Sequence, residues 1–179
     1  MSDTFELTPD QAADQATELE RLSTALRAAD HDTRVLDPSD EVPLPTLLVA
    51  LGVDEAERDR TLAISLLPFA DDDLDATALM QFYVLLPFEL VAATRNDVLA
   101  ATAHINAAMA IGHFAARGDE LYYRYVLAAD KGAPVDGALV VELVQLIDFH
   151  QQHFGDYLEG ILTDELSLQV LPEVIAEAD

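Results

Sequence analysis

His150 and His153 are the residues whose type and spacing come nearest to a chemical site. Three apart on a helix, their imidazoles could reach one ion, with Asp156 a further turn along. The stretch His150-Gln151-Gln152-His153 lacks the general-base glutamate of the HExxH pattern. The favoured reading is that both rings cap a largely apolar face, their N–H groups bonded to backbone or water. The alternative is a metal-dependent enzyme using these two histidines and a carboxylate.

Other chemistry finds less support. Asp71-Asp72-Asp73-Leu74-Asp75 offers carboxylates to a hard cation, but it has neither the glycine nor the distant glutamate of a calcium loop. It reads as a solvated turn. No GxSxG elbow presents a serine nucleophile, and neither GxxxxGK[ST] nor GxGxxG is present to cradle phosphates. His104 and His113 are isolated, and no spacing pairs any two of Glu89, Glu120, Glu142 and Glu159. The absence of cysteine excludes disulfides, thiolate metal sites and cysteine nucleophiles. No catalytic residue and no cofactor is assigned.

The charge is the strongest compositional signal. The 179 residues carry 34 acidic against 9 basic side chains, a net charge of −25, with Lys131 the sole lysine. A field of that sign repels phosphate backbones and anionic membrane surfaces, so neither nucleic acid nor membrane is an expected partner. Tyr122, Tyr123 and Tyr125 could form a stacking platform only in a positive groove, so they read as core and sheet-face packing. Solubility or adaptation to a salty interior is the simpler account of the acidity. The sharper one is an acidic face that recruits a basic partner protein. An apolar fraction of 51% argues for a packed core despite the charge. The N-terminal MSDTFELTPD lacks a signal peptide's basic and apolar regions, and no apolar run reaches the roughly 18 residues of a membrane span. The expected location is the cytoplasm.

Local patterning supplies the elements. Thr8, Pro9 and Gln11 form a capping-box start, and Ala12, Ala16, Leu19, Leu22, Leu26 and Ala29 make one apolar stripe to about residue 29. Residues 30–45 are a connection with room for a short edge strand at Thr33 to Leu36. Thr46 to Leu51 is apolar enough for a strand ended by Gly52, though a helical turn fits as well. Thr61 to Leu67 alternates, with Leu62, Ile64 and Leu66 on one face. In Leu79 to Leu86, Met80, Phe82, Val84 and Leu86 oppose Gln81 and Tyr83, which suggests a hairpin around the acidic loop. Thr94 caps a helix with Val98, Thr102, Ile105 and Met109 as its stripe and Gly112 as its end. A hairpin turning at Gly118-Asp119 follows. Its second strand sets Leu121, Tyr123, Tyr125 and Leu127 against Tyr122, Arg124 and Val126. Asp136 caps the longest helix, to about Gly160, whose apolar arc exceeds the roughly 100° one core requires.

The expected architecture is α+β: an antiparallel sheet of about five strands with helices packed on it, in the order α-β-β-β-α-β-β-α. Residues 1–162 form one domain, and 163–179 form a C-terminal docking tail. That order, with the text INAAMAIGHFAARGDELYYRYVLAAD, resembles the YbjN family, which shares a fold with type III secretion chaperones. Asn106, Gly112, Phe114, Gly118, Leu121, Tyr123 and Arg124 carry the resemblance, followed by the connection GAPVDG and the helix over 138–160. It spans roughly residues 8–160, and the tail from 163 departs from it. The resemblance implies a non-enzymatic α+β protein, often a homodimer, that binds other proteins. Chaperones of this fold are small, acidic and ATP-independent, and hold extended clients against apolar grooves.

The expectation is therefore a protein-binding module, with a structural subunit of a larger assembly differing only in the permanence of its partner. The surfaces expected to carry binding are Val140, Val144 and Ile147 on the long helix, and the sheet face bearing Tyr122 and Arg124.

Overall fold

The computed structural model describes residues 7–40, 42–68 and 74–178. Among them are four helices and six strands, in the order α1 (Pro9–Ala28), β1 (Thr33–Leu36), β2 (Thr46–Val53), β3 (Asp59–Leu66), β4 (Thr77–Glu89), α2 (Arg95–Ala108), β5 (His113–Arg117), β6 (Glu120–Asp130), α3 (Gly137–Leu162) and α4 (Leu171–Ala178). The strands form one antiparallel sheet in the order β1-β2-β3-β4-β6-β5. This is the expected α+β class, with the edge strand at Thr33–Leu36 and Thr46–Val53 both formed. Asp71 to Asp73 of the acidic loop lie outside the described residues, while Asp75 is exposed.

The chain divides into two compact, interleaved units. The first comprises the described residues of Met1–Leu51, Thr61–Phe82 and Val126–Val144. In it α1 begins with the capping box: the Gln11 N–H donates to the Thr8 hydroxyl at 3.2 Å and the Thr8 N–H to the Gln11 side-chain oxygen at 3.0 Å. Two otherwise orphaned helix donors are thereby satisfied. The stripe expected for α1 buries Leu19, Leu22 and Leu26. β1 pairs with β2 so that Thr33 lies opposite Val49 and Val35 opposite Leu47. Glu18 accepts the Val135 N–H at 2.7 Å, and Arg21 donates to both Glu18 and the Val135 carbonyl, fastening the approach to α3 onto α1. The Arg21 hydrogen bond holds the Glu18 carboxyl below its ordinary range.

The second unit comprises the described residues of Gly52–Arg60, Tyr83–Tyr125 and Gln145–Asp179. Here α2 returns the chain to the sheet's edge, because β6 lies between β4 and β5. Asn106 fixes that return: its amide donates to the Phe114 carbonyl at 3.0 Å and accepts the Phe114 N–H at 2.8 Å. Gly118 (φ +61°) makes the two-residue turn that sets Arg117 opposite Glu120. The expected ends of α2 differ. Thr94 makes no side-chain cap: its backbone (φ −107°, ψ 1°) is not extended as a capping residue's is, and its hydroxyl donates to the Leu162 carbonyl at 3.3 Å. The helix stops at Ala108 with Met109 extended, and Gly112 (φ +70°) sits in the connection beyond. Tyr123, fully buried, donates to the Ile111 carbonyl at 3.0 Å.

The tail supplies α4, packed on α2 with Leu171 and Ile175 buried. Before it, the Glu165 and Leu166 N–H groups both donate to the Gly160 carbonyl, at 2.8 and 2.9 Å, and close the end of α3. No helix among the described residues is long and apolar enough to cross a membrane.

Gly112 has two reasons to be glycine: its positive φ, and the Tyr123 hydroxyl occupying the place of a side chain. Gly112→Ala combines left-handed strain with displacement of a buried ring, and is expected to destabilise the protein by about 2 to 4 kcal/mol. Equilibrium urea unfolding checks this, and a change under about 0.5 kcal/mol would contradict the packing described.

Candidate functional site

Within the second unit, alternation along β4 and β6 divides the sheet into unlike faces. Val84, Leu86, Leu121 and Tyr123 are buried, whereas Tyr83, Leu85, Tyr122 and Arg124 are not. The Tyr83 and Tyr122 rings stack across the two strands, 5.2 Å apart with 26° between planes. Leu85 beside them is 48% exposed. Arg117 on β5 bonds Glu120 at 3.0 Å. Burial raises the Tyr83 phenol, Glu120 and Tyr122 add to this, and Arg117 opposes it. The phenol stays neutral at physiological pH and keeps a hydrogen to donate. This accessible aromatic face contains the expected Tyr122 and Arg124 and adds Tyr83 and Leu85.

The helix half of the expected surface is corrected. Val140, Val144 and Ile147 are each fully buried. The wide apolar arc of α3 is used inside the chain: Leu158 and Ile161 are also buried, and Gly160 abuts Leu166 of the tail, where a Cβ would stand 3.1 Å from the Leu166 Cβ. The exposed apolar residues of α3 are instead Leu139 and Phe149, at 40% and 57%.

The histidine pair belongs to an aromatic cluster. His150, only 3% exposed, lies 6.2 Å from the Tyr123 ring, 6.0 Å from Phe149 and 5.9 Å from Phe154, centroid to centroid. His153 stacks on Phe149 at 5.5 Å and meets Phe154 and Tyr157 edge-on at 4.9 and 5.1 Å. His150 Nδ1 has no protein hydrogen-bond partner among the described residues. Burial lowers the pKa of His150, and His153 lowers it further. Among the described residues, no group of three or more His, Cys, Asp or Glu gathers to hold a metal ion.

A polar cluster that spacing did not reveal lies between α3 and the turn joining β2 to β3. Asp54 shapes that turn, its Oδ1 accepting the Ala56 and Arg58 N–H groups at 3.0 and 2.8 Å. Arg58 then grips Asp54 at 2.6 Å and Glu159 at 2.8 and 2.5 Å, lying over the Phe88 ring. Arg60, 6% exposed, bonds Asp148 at 2.7 Å. A cleft of about 310 Å³ opens beside them, lined by Val53, Asp54, Glu55, Arg60, Gln151, Gln152 and Asp156. Desolvation raises the Asp156 carboxyl, and Glu55, Glu159 and Asp54 raise it further against the pull of Arg60. The alternating charges of 54–60 were the available signal; their partners on α3 lie some 90 to 100 residues away.

Two outcomes follow. Val144→Asp is expected to abolish folding, since an unpaired carboxylate at a fully buried site costs more than about 4 kcal/mol. A native circular-dichroism spectrum would place Val144 outside the core. For His150, whose pKa is lowered from the ordinary 6.5, the unfolded chain takes up its proton at a higher pH than the folded chain. The stabilising effect is complete above that ordinary value and is lost as pH falls below it. Urea unfolding should therefore show stability falling as the pH drops below 6.5, with His150→Leu flattening that part of the curve. Equal slopes in the two proteins would remove His150 from the account.

Compared with known proteins, the chain matches no family model and no curated sequence.

Proposed function

We propose that this protein is a non-enzymatic, chaperone-like protein-binding module of the YbjN type, acting in the cytoplasm as a homodimer. Its binding surface is the sheet face bearing Tyr83, Leu85, Tyr122 and Arg124. The observation that carries this reading is the stacked Tyr83–Tyr122 pair beside an exposed leucine, on strands whose opposite face is buried. Aromatic and arginine side chains supply much of the energy of protein interfaces, because they bury large areas with little loss of conformational freedom. Arg124 adds a directional donor, and the net charge of −25 speeds approach of a basic partner. The partner is accordingly a protein presenting apolar side chains within a basic surface. A metal-dependent role for His150 and His153 has no comparable support, given how closely aromatic rings enclose both.

The test is capture of the tagged protein's partners from its own cell extract at two salt concentrations, with sedimentation giving the oligomeric state. The double variant Tyr122→Ser with Leu85→Ser should keep its native spectrum, since neither residue is in the core. It should lose the partner by at least about 2 kcal/mol, roughly thirtyfold in affinity. Unchanged capture and unchanged oligomeric state in a folded double variant would sink this reading.

A further inference from the structure

We propose that the cleft between α3 and the β2–β3 turn binds a primary ammonium group whose carrier also presents a hydrogen-bond acceptor. Glu55 and Asp156 receive the ammonium, and Gln151 donates to the acceptor.

Ion pairing leaves these two carboxylates over. Arg58 is engaged by Asp54 and Glu159, and Arg60 is held by Asp148. Glu55 and Asp156 line the cleft with no ion pair or hydrogen bond of their own among the described residues. The two carboxylates at one mouth repel each other, and Arg60, already held by Asp148, offsets this only in part, so a further cation is favoured there. Lysine's ammonium is a compact point charge suited to that place.

Gln151 is the second, independent sign. It is only 5% exposed and lines the cleft, yet its Nε2 has no hydrogen-bond partner among the described residues. A buried amide donor left unmade is costly, and the cost is recovered when a ligand supplies the missing acceptor. Carboxylates that call for a cation and an amide that calls for a carbonyl together describe a ligand with both groups. A volume of about 310 Å³ lies at the small end for ligand sites and suits a single amino-acid-sized group. Such a group is either a free amino acid or a lysine of another protein chain. The site is separate from the aromatic sheet face, so failure of either assignment leaves the other standing.

The experiment titrates the full-length protein with free L-lysine, with Nα-acetyl-lysinamide and with cadaverine, which has ammonium groups but no carbonyl. Binding is read by calorimetry and by amide NMR shifts at residues 53–60 and 148–159. Lysine or its blocked form should bind at least tenfold more tightly than cadaverine. The free form binding better assigns a small-molecule ligand, and the blocked form binding better assigns a protein lysine; both support the site. Asp156→Asn should weaken binding at least tenfold, whereas Glu142→Gln, which removes the same charge from an exposed position on α3, should change it less than twofold. Gln151→Met should bring the lysine ligands down to cadaverine's affinity; if that variant fails to fold, Asp156→Asn still decides. No saturable binding, equal loss in Asp156→Asn and Glu142→Gln, or cadaverine binding as well as lysine would overturn the proposal.

Discussion

Everything in this molecule depends on the two-residue period of its strands having one buried face. Met80, Phe82, Val84 and Leu86 alternate inward along β4, as Leu121 and Tyr123 do along β6. Removing such side chains from water is the main favourable term in folding, at about 25 cal/mol per Å². A slip of one residue would turn each set outward, so the register is strongly specified. The helices follow from the same constraint. Amphipathic α1 and α2 cannot bury their stripes alone; α1 packs against β1, and α2 against β5 and α4. Asn106 and the Tyr123 hydroxyl then lock details that apolar burial leaves free, by satisfying backbone groups of the edge-strand region.

Most of this was legible because it is local. The capping box at Thr8 and Gln11, the alternation of β3, β4 and β6, the Gly118 turn and the Asp136 cap each need only a few neighbouring residues. The errors occur where a distant group decides. Thr94 makes no side-chain cap on α2: its backbone departs from the extended capping conformation, and its hydroxyl reaches the distant Leu162 carbonyl. Gly112 is required by the Tyr123 ring, not by a helix end. Val140, Val144 and Ile147 looked like surplus apolar width only while the surroundings of α3, including the docked tail, were unknown. On the aromatic face, Tyr83 and Tyr122 each fell on the correct side of their strands. Their pairing depends on β6 lying beside β4, a neighbour relation that no local pattern contains.

The scarcity of cations shapes the rest. With 9 basic side chains against 34 acids, carboxylates far outnumber the cations that could pair with them. Those of the β2–β3 turn are used in depth. Arg58 bridges two carboxylates, and Arg60 buries its guanidinium against Asp148. A buried pair of this kind adds specificity of placement more dependably than net stability, because desolvation offsets much of the attraction. It fixes the turn against α3 within the second unit.

That rigidity separates a charged surface from a recognising one. A diffuse field of many carboxylates attracts any cation, is screened over about 8 to 10 Å at physiological salt, and discriminates poorly. Two carboxylates held by a turn and a helix, beside a buried amide with an unmet donor, distinguish a lysine-like ligand from a bare amine, because only the former satisfies both groups. On the proposed reading the aromatic face works by the complementary route, holding its partner through apolar area and shape, with charge acting on the rate of approach. If both assignments are right, raising the ionic strength should weaken the cleft's ligand while leaving the sheet face's short-range contacts intact. Salt dependence measured ligand by ligand then separates the two surfaces without any substitution in the protein.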